Sequence, residues 1–129
     1  MTDEKKFEVH AEITARLTQQ DVDDIMVSAL EGGINYWAGE AEVIEEKRVA
    51  DWGHEQIARG GVLVIHDIED PDEKWELTLE KFLNGFKLWV ENGGGEYGAI
   101  EDGKVDCNID AGCADEIIQY ALFGELMFS

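Results

Sequence analysis

The sequence predicts a single α+β domain: an antiparallel β-sheet of three to four strands packed by two to three helices, in one pair of layers. A chain of 129 residues with a hydrophobic fraction of 44% suits one domain with one core. Segments of alternating polarity are interleaved with segments of helical periodicity. A short hairpin turn follows the strongest strand, which favours antiparallel pairing over a parallel crossover. No internal repeat or linker divides residues 1–129, and residues 1–6 are expected to be disordered.

The first elements are a strand and a helix. Residues 7–14 alternate between apolar and polar side chains, which predicts a half-buried strand. Thr18 has the character of an N-cap residue, and Gly32-Gly33 that of a helix end. Between them the apolar residues follow helical spacing: Val22, Ile25, Met26, Ala29 and Leu30.

The middle of the chain predicts two strands joined by a short helix or turn. Residues 41–49 are polar enough to form an edge strand. Residues 54–59 predict a short helix or turn that Gly60 and Gly61 close. The apolar run over residues 62–65, followed by His66, then predicts a central strand over residues 62–66.

A hairpin and two helices complete the predicted fold. The turn Asp70-Pro71-Asp72 leads into a returning strand over residues 74–78. Thr78 is expected to cap a helix with a wide apolar face, which ends at residues 92–95. A third helix follows Asp110 or Gly112, with a buried stripe that comprises Ala114, Ile117, Ile118, Ala121 and Leu122.

The charge is the most unusual property of the chain. Thirty acidic residues against ten basic ones give a net charge of −20, spread along the whole sequence. Such a field repels nucleic acid and anionic lipid and attracts basic partners. We therefore expect neither direct duplex binding nor membrane association. The competing interpretation is that the acidity only maintains solubility.

Cysteine spacing and the lack of a long apolar run point to the cytoplasm. No segment approaches the ~20 apolar residues that cross a bilayer, and the N-terminal residues contain no signal-like run. Cys107 and Cys113 lack the C-x-x-C spacing of redox or zinc sites, so both are expected to be free thiols.

Groups suited to catalysis are few. Ser28 falls inside the first helix and Ser129 is the last residue, which makes a serine nucleophile improbable. The histidines His10, His54 and His66 have no metal-ligand spacing. We assign no catalytic residue, no metal and no cofactor.

Two acidic segments are candidates for cation binding. Asp106, Asn108 and Asp110 alternate as in a calcium loop, but Ala111 replaces the required Gly and Ile117 the required Glu. Asp110 is better interpreted as a helix N-cap. The acidic turn over residues 67–73 could hold a cation weakly, but a solvated loop is the better interpretation.

A cluster of aromatic residues, one Arg and glycine pairs marks the most suggestive sector. Aromatic faces and an Arg hold planar anionic molecules such as nucleotides, and glycines let backbone amides approach phosphate. In the alternative, the glycines are helix C-caps and the aromatics are core. The candidate ligand-binding residues are Tyr36, Trp37, Trp52, His54, Arg59, Gly60 and Gly61.

Over residues 15–125 the chain resembles a family of small, uncharacterised, acidic proteins encoded by bacteriophages and other mobile elements of bacteria. The resemblance rests on Asp21-x-Asp23-Asp24-Ile25-Met26, Ala29-Leu30-Glu31-Gly32-Gly33-Ile34-Asn35-Tyr36-Trp37, Ile57-Ala58-Arg59-Gly60-Gly61, Lys81-Phe82-Leu83-x-Gly85, and Ala114-Asp115-x-Ile117-Ile118-Gln119-Tyr120-Ala121-Leu122-Phe123-Gly124. The resemblance implies no catalytic residues. It implies a context, since small acidic phage proteins are often inhibitors of bacterial defence.

Three functions are therefore expected, in this order. The first is a non-enzymatic inhibitor that binds a basic, nucleic-acid-handling host defence protein through its acidic surface. The second is a sponge that sequesters a small nucleotide signal in the aromatic and Arg pocket, across a homo-oligomer interface. The third is a small nucleotide-processing enzyme with His54 or His66 as its base.

Overall fold

The computed structural model describes residues 14–94, 100–101, 104–105 and 109–129. These form an α+β arrangement, as predicted. No helix in these ranges is long and apolar enough to span a membrane. The elements are α1 (Gln19–Ser28), β1 (Ala38–Val43), β2 (Leu63–Asp67), β3 (Lys74–Leu77), α2 (Leu79–Glu91), β4 (Ile100–Glu101), β5 (Lys104–Val105) and α3 (Ala111–Phe123), with a π-helical turn (Ala29–Gly33) and 3-10 turns at Glu45–Lys47, Gly53–Glu55 and Ile57–Arg59.

Helix α1 begins where its cap residue predicts. The hydroxyl of Thr18 accepts a hydrogen bond from the Asp21 amide at 3.0 Å, and the Asp21 carboxylate accepts one from the Thr18 amide at 2.9 Å. This capping box satisfies two of the amides that a helix start leaves unpaired. The helix continues into the π-helical turn, which ends at Gly33 as predicted. A Cβ atom at position 33 would lie 2.5 Å from the Ala111 carbonyl oxygen, so the approach of α3 requires glycine.

The main sheet has the order β1-β2-β3, and both pairings are antiparallel. Strand β2 is central as predicted, and β1 lies at one end of this order. The predicted strand over residues 41–49 is correct over residues 41–43 and wrong over residues 44–49. The observed strand begins at Ala38 and ends at Val43, because β2 begins opposite Val43 at Leu63. The chain then forms a 3-10 turn, in which Arg48 donates two hydrogen bonds of 2.8 Å to Glu45.

Several predictions fall outside the described residues. The predicted strand over residues 7–14 does so except for Thr14, and so do His10, Cys107 and most of the calcium-like segment. The short β4-β5 hairpin was not anticipated. Asp110 is described, and it caps α3 as predicted: its carboxylate accepts a hydrogen bond from the Cys113 amide at 2.8 Å.

Helices α2 and α3 pack closely against each other. Thr78 caps α2 as predicted, since its hydroxyl accepts a hydrogen bond from the Lys81 amide at 3.3 Å. A Cβ atom at Gly85 would lie 2.6 Å from the Cβ of Ala121, so this crossing also depends on glycine. The buried side chains of α2 and α3 join those of the sheet in one cluster, to which Leu63 and Leu77 belong.

The two faces of the sheet differ in polarity. Leu63, Ile65 and Leu77 contribute to the core. Because side chains alternate along a strand, the other face carries the intervening positions, and these are polar apart from Val64 of β2. The polar residues are Glu40, Glu42, His66, Lys74 and Glu76. The helices therefore cover one face, and the other is mainly acidic.

Candidate functional site

Arg59, the predicted anion-binding residue, is engaged within the fold. One guanidinium nitrogen donates to the Asp23 carboxylate at 3.0 Å and to the Glu55 carbonyl at 2.9 Å. The other donates to Asp23 at 3.2 Å. Asp23 is only 7% exposed, so the pair satisfies a carboxylate at the edge of the core. The hydrogen bond to Asp23 raises the pKa of Arg59 further. The positive charge of Arg59 therefore balances the charge of Asp23 within the fold.

The adjacent glycine amides are also occupied. The Gly60 amide donates to the Ile57 carbonyl at 3.1 Å, and the Gly61 amide donates to the Gln56 carbonyl at 2.8 Å. Gly60 has a φ of 88°, the left-handed conformation that ends a helical turn. This geometry fits the helix-cap alternative, because neither amide is available to a phosphate.

Trp52 lies on a loop at residues 48–52, which we call the Trp52 loop. Its side chain is 66% exposed. The buried side chain of Gln56 accepts a hydrogen bond from the Val49 amide at 3.0 Å, and it donates to the carbonyls of Ala50 at 2.7 Å and Trp52 at 2.9 Å. Arg48 also donates to the Ala50 carbonyl at 3.1 Å and to the Asp51 carbonyl at 2.9 Å. The loop is therefore fixed although it has no regular secondary structure. His54 follows it, half-buried, in the next 3-10 turn.

Tyr36 and Trp37 belong to a different environment, organised by Asp115 of α3. The Asp115 carboxylate accepts hydrogen bonds from the Tyr36 hydroxyl at 2.6 Å, the Trp37 indole at 2.8 Å and the Gln119 amide at 2.9 Å. We call these four residues the Asp115 network. Burial of the hydroxyl and the bond to Asp115 raise the pKa of Tyr36 to about 12, so the hydroxyl remains a donor at neutral pH.

Gln119 connects the Asp115 network to the end of the chain. Its side-chain oxygen accepts hydrogen bonds from the amides of Met127 and Phe128, each at 2.8 Å. Its nitrogen donates to the Phe128 carbonyl at 3.2 Å. The Phe128 ring stacks on Trp37, with centroids 4.9 Å apart and planes 4° from parallel. The last residues are thus packed against the sector that contains Tyr36 and Trp37.

A groove of about 460 Å³ lies between this segment and the β2-β3 turn. We call it the aromatic groove. Its lining combines aromatic surface with carboxylates and, among the described residues, includes no Lys or Arg. The aromatic members are Tyr36, Trp37, Trp75 and Phe128, the acidic ones Asp67, Glu69 and Glu73, and the remainder Ile68, Met127 and Ser129.

The acidic side of the aromatic groove is held in place by hydrogen bonds. The Asp67 amide donates to the Glu73 carbonyl at 2.9 Å, and the Ile68 amide donates to the Trp37 carbonyl at 2.8 Å. His66 contacts the Pro71 carbonyl through Nδ1 at 2.8 Å. The turn is therefore tied both to β2 and to the aromatic wall. Aromatic rings beside carboxylates are suited to cations, since both present negative potential.

Groups for covalent or metal chemistry are scarce in the described part of the chain. Cys113 is a free thiol, as predicted, and burial followed by the bond to Asp110 raises its pKa to about 11. It stays protonated at neutral pH and is a weak nucleophile. Within the described ranges no group of three His, Cys, Asp or Glu residues is arranged to hold a metal ion.

The sequence predicts part of this groove. Tyr36 and Trp37 are predicted ligand residues, whereas the acidic turn is better interpreted from the sequence as a solvated loop, and no sequence pattern connects the two. Trp75 was interpreted only as a strand residue, and Phe128 gave no signal because it follows the last helix without periodicity. A useful signal was available in α3, where Asp115 and Gln119 lie four residues apart beside the apolar stripe.

Comparisons with family models, curated proteins and solved structures find no match to the chain. The resemblance to the phage-encoded family remains a prediction. The functional argument therefore rests on the geometry and charge of this molecule.

Proposed function

We propose that this protein is a non-enzymatic inhibitor that binds a basic, nucleic-acid-handling protein of a bacterial host through its acidic surface. One observation carries the proposal. At the candidate anion site, the Arg59 guanidinium and the amides of Gly60 and Gly61 already have internal partners. The aromatic groove is bordered by carboxylates instead. The surface that remains available favours cations.

The charge of the whole molecule supports the same partner class. A net charge of −20 creates a field that accelerates encounters with basic proteins and resembles that of nucleic acid. The sheet face opposite the helices, which no described element covers, adds Glu40, Glu42 and Glu76 to this field. Proteins that handle nucleic acids carry basic surfaces for the phosphate backbone. An acidic protein can occupy such a surface and exclude its normal substrate.

The sponge and enzyme alternatives have weaker support. A nucleotide at Arg59 would take the guanidinium away from Asp23 and leave a buried carboxylate unpaired, which is costly. A base at His66 lacks a free nitrogen, because Nδ1 faces the Pro71 carbonyl and Nε2 faces Glu42 at 2.9 Å. The proposal locates the protein in the cytoplasm of the bacterial host, where nucleic-acid-handling proteins act.

The test is capture of partners from a bacterial lysate on the immobilised protein, with identification by mass spectrometry, followed by calorimetry with the purified partner. We expect a basic nucleic-acid-binding protein. Its affinity should fall by about 100-fold or more between 50 and 500 mM salt, because screening weakens charge-driven association. A complex that is indifferent to salt, or a copurifying nucleotide without a protein, would contradict the proposal.

Arg59→Ala separates the inhibitor from the sponge. If Arg59 is structural, the variant loses thermal stability because Asp23 loses its partner, while its affinity for the basic partner is unchanged or slightly increased. Lys87→Ala is the matched control, since Lys87 is 71% exposed and its removal changes the net charge equally. A folded Arg59→Ala variant that loses affinity for a nucleotide that the wild type binds would favour the sponge.

A further inference from the structure

We propose that the aromatic groove is the anchor site for one arginine side chain of the basic partner. The inference rests on the proposed function and assigns a place and a ligand group to it. A guanidinium is planar and always charged, and it stacks on aromatic rings more readily than an ammonium does. The aromatic groove offers rings and carboxylates together, which is the combination that such a group uses.

The aromatic wall is rigid before any ligand binds. Trp75 contacts Phe123 edge-on at a centroid distance of 5.0 Å and contacts Trp37 at 6.0 Å. Trp37 is fixed in turn by its stack on Phe128 and by its bond to Asp115. A prearranged wall loses little conformational entropy on binding. Trp37 is itself buried, so the aromatic residues accessible to a ligand are Tyr36, which is 48% exposed, and the half-buried Trp75 and Phe128 that Trp37 supports. Their rings offer cation–π attraction without reorganisation.

The acidic wall has carboxylates without internal partners. In the described part of the chain, Glu69 and Glu73 are exposed and their carboxylates make no hydrogen bond or ion pair. Asp67 accepts one hydrogen bond, from the Asp70 amide at 3.1 Å. Two of the three carboxylates of the acidic wall, those of Glu69 and Glu73, are thus fully available for charge-assisted hydrogen bonds to a guanidinium.

Other occupants fit the aromatic groove less well. An anion would face three carboxylates without a cation among the described lining residues. A purely apolar segment would cover those carboxylates and remove them from water without compensation. A cation satisfies both walls at once. The space of about 460 Å³ admits a guanidinium with its alkyl chain.

The first experiment uses the wild-type protein and a single side chain as the probe. Titration of ¹⁵N-labelled protein with N-acetyl-arginine amide should shift the indole signals of Trp37 and Trp75 and the amides of residues 67–73, with saturation. The neutral citrulline analogue should bind at least about tenfold more weakly, because it has the same shape without the charge. Equal shifts from both probes, or shifts spread evenly over the acidic surface, would overturn the inference.

The second experiment removes the acidic rim and preserves the turn. The double variant Glu69→Gln/Glu73→Gln should reduce the affinity for an arginine-rich peptide by about tenfold at low salt, since two close charges are lost. The control is Glu46→Gln/Glu80→Gln, which changes the net charge equally at exposed positions outside the groove. It should change the affinity less than about twofold. Equal losses in the two variants would overturn the inference.

The outcomes separate the anchor from the function on which it rests. If the peptide binds but Glu69→Gln/Glu73→Gln and its control lose the same affinity, the acidic surface binds the partner without using the aromatic groove as an anchor. If neither the peptide nor any basic protein binds the wild type, the proposed function fails as well. Saturable shifts of the groove signals by a nucleotide, or concentration-dependent shifts without any probe, would assign the groove to an anion or to a second copy of the chain and would overturn the inference.

Discussion

Trp37 and Trp52 were predicted to share one ligand site, yet they have opposite roles. Trp37 is 2% exposed, stacked on Phe128 and bonded to Asp115, whereas Trp52 is 66% exposed at the surface. The backbone near each tryptophan is held by the same type of interaction. A buried glutamine, Gln119 in one region and Gln56 in the other, binds the backbone of an irregular segment.

Two buried glutamine side chains hold segments of this molecule that have no regular secondary structure. Gln56 is 0% exposed and Gln119 is 1% exposed, and each makes three hydrogen bonds to backbone groups of one segment. One amide side chain can satisfy both donors and acceptors, which suits a turn that lacks ladder partners. The burial of the nearby tryptophan therefore depends on where the irregular segment lies and not on the glutamine that binds its backbone.

The largest effect is expected from Trp37→Ala. Removal of a buried tryptophan from the core should reduce the free energy of unfolding by about 3–5 kcal/mol, and it should also release the segment that Phe128 anchors. Chemical denaturation measures the first effect, and amide exchange at Met127 and Phe128 measures the second. Trp37→Phe is the control, because it retains much of the packing and loses the bond to Asp115. A loss below about 1 kcal/mol would mean that the aromatic groove has no fixed wall.

Gln56→Ala should produce the next largest effect. The variant leaves the Val49 amide without its partner, whereas the Ala50 carbonyl keeps its hydrogen bond from Arg48 and the Trp52 carbonyl keeps its bond from the Glu55 amide. We therefore expect the free energy of unfolding to fall by about 1–3 kcal/mol. Exchange of the Val49 amide should accelerate at the same time. Gln20→Ala is the matched control, since Gln20 is exposed and bonds only to Asp24. If the two variants have equal stability, the Trp52 loop does not depend on Gln56.

A smaller, pH-dependent effect is expected from His66, which supports the turn beside the aromatic groove. The hydrogen bonds to the Pro71 carbonyl and then to Glu42 raise its pKa, and the nearby charge of Glu40 acts in the same direction. A raised pKa in the folded state means that the stabilisation is complete below the unfolded value of about 6.5. It is lost as the pH rises through the folded value.

The measurement is the melting temperature of the wild type and of His66→Gln across neutral pH. The advantage of the wild type should decrease as the pH rises, and an NMR titration of the imidazole should give a midpoint above about 6.5. A midpoint at or below that value would show that the imidazolium is not favoured on this face of the sheet.

Trp52→Ala should have the smallest effect on stability. Because the side chain is 66% exposed, the free energy of unfolding should change by less than about 0.5 kcal/mol. A clear loss of affinity for the basic partner with unchanged stability would identify the Trp52 loop as a second contact surface. A loss of stability as large as that of Trp37→Ala would remove the contrast between the two regions.

The sequence by itself determined the local features of this protein. The caps at Thr18, Thr78 and Asp110 were predicted because each depends on a hydrogen bond between residues three positions apart. The hairpin turn and the central strand were predicted for a similar reason, since alternation and turn residues are read within one short segment. The acidic surface follows from composition alone.

Only the tertiary structure decided what the candidate site contains. Arg59 pairs with Asp23, 36 positions away, and the indole of Trp37 bonds to Asp115, 78 positions away. Such contacts form between segments that the sequence pattern describes separately, so no local periodicity reports them. The same holds for the aromatic groove, whose walls come from the acidic turn, the residues before β1, Trp75 of β3 and the segment after α3. Long-range packing and buried hydrogen bonds selected which aromatic, acidic and cationic groups remain free for a ligand.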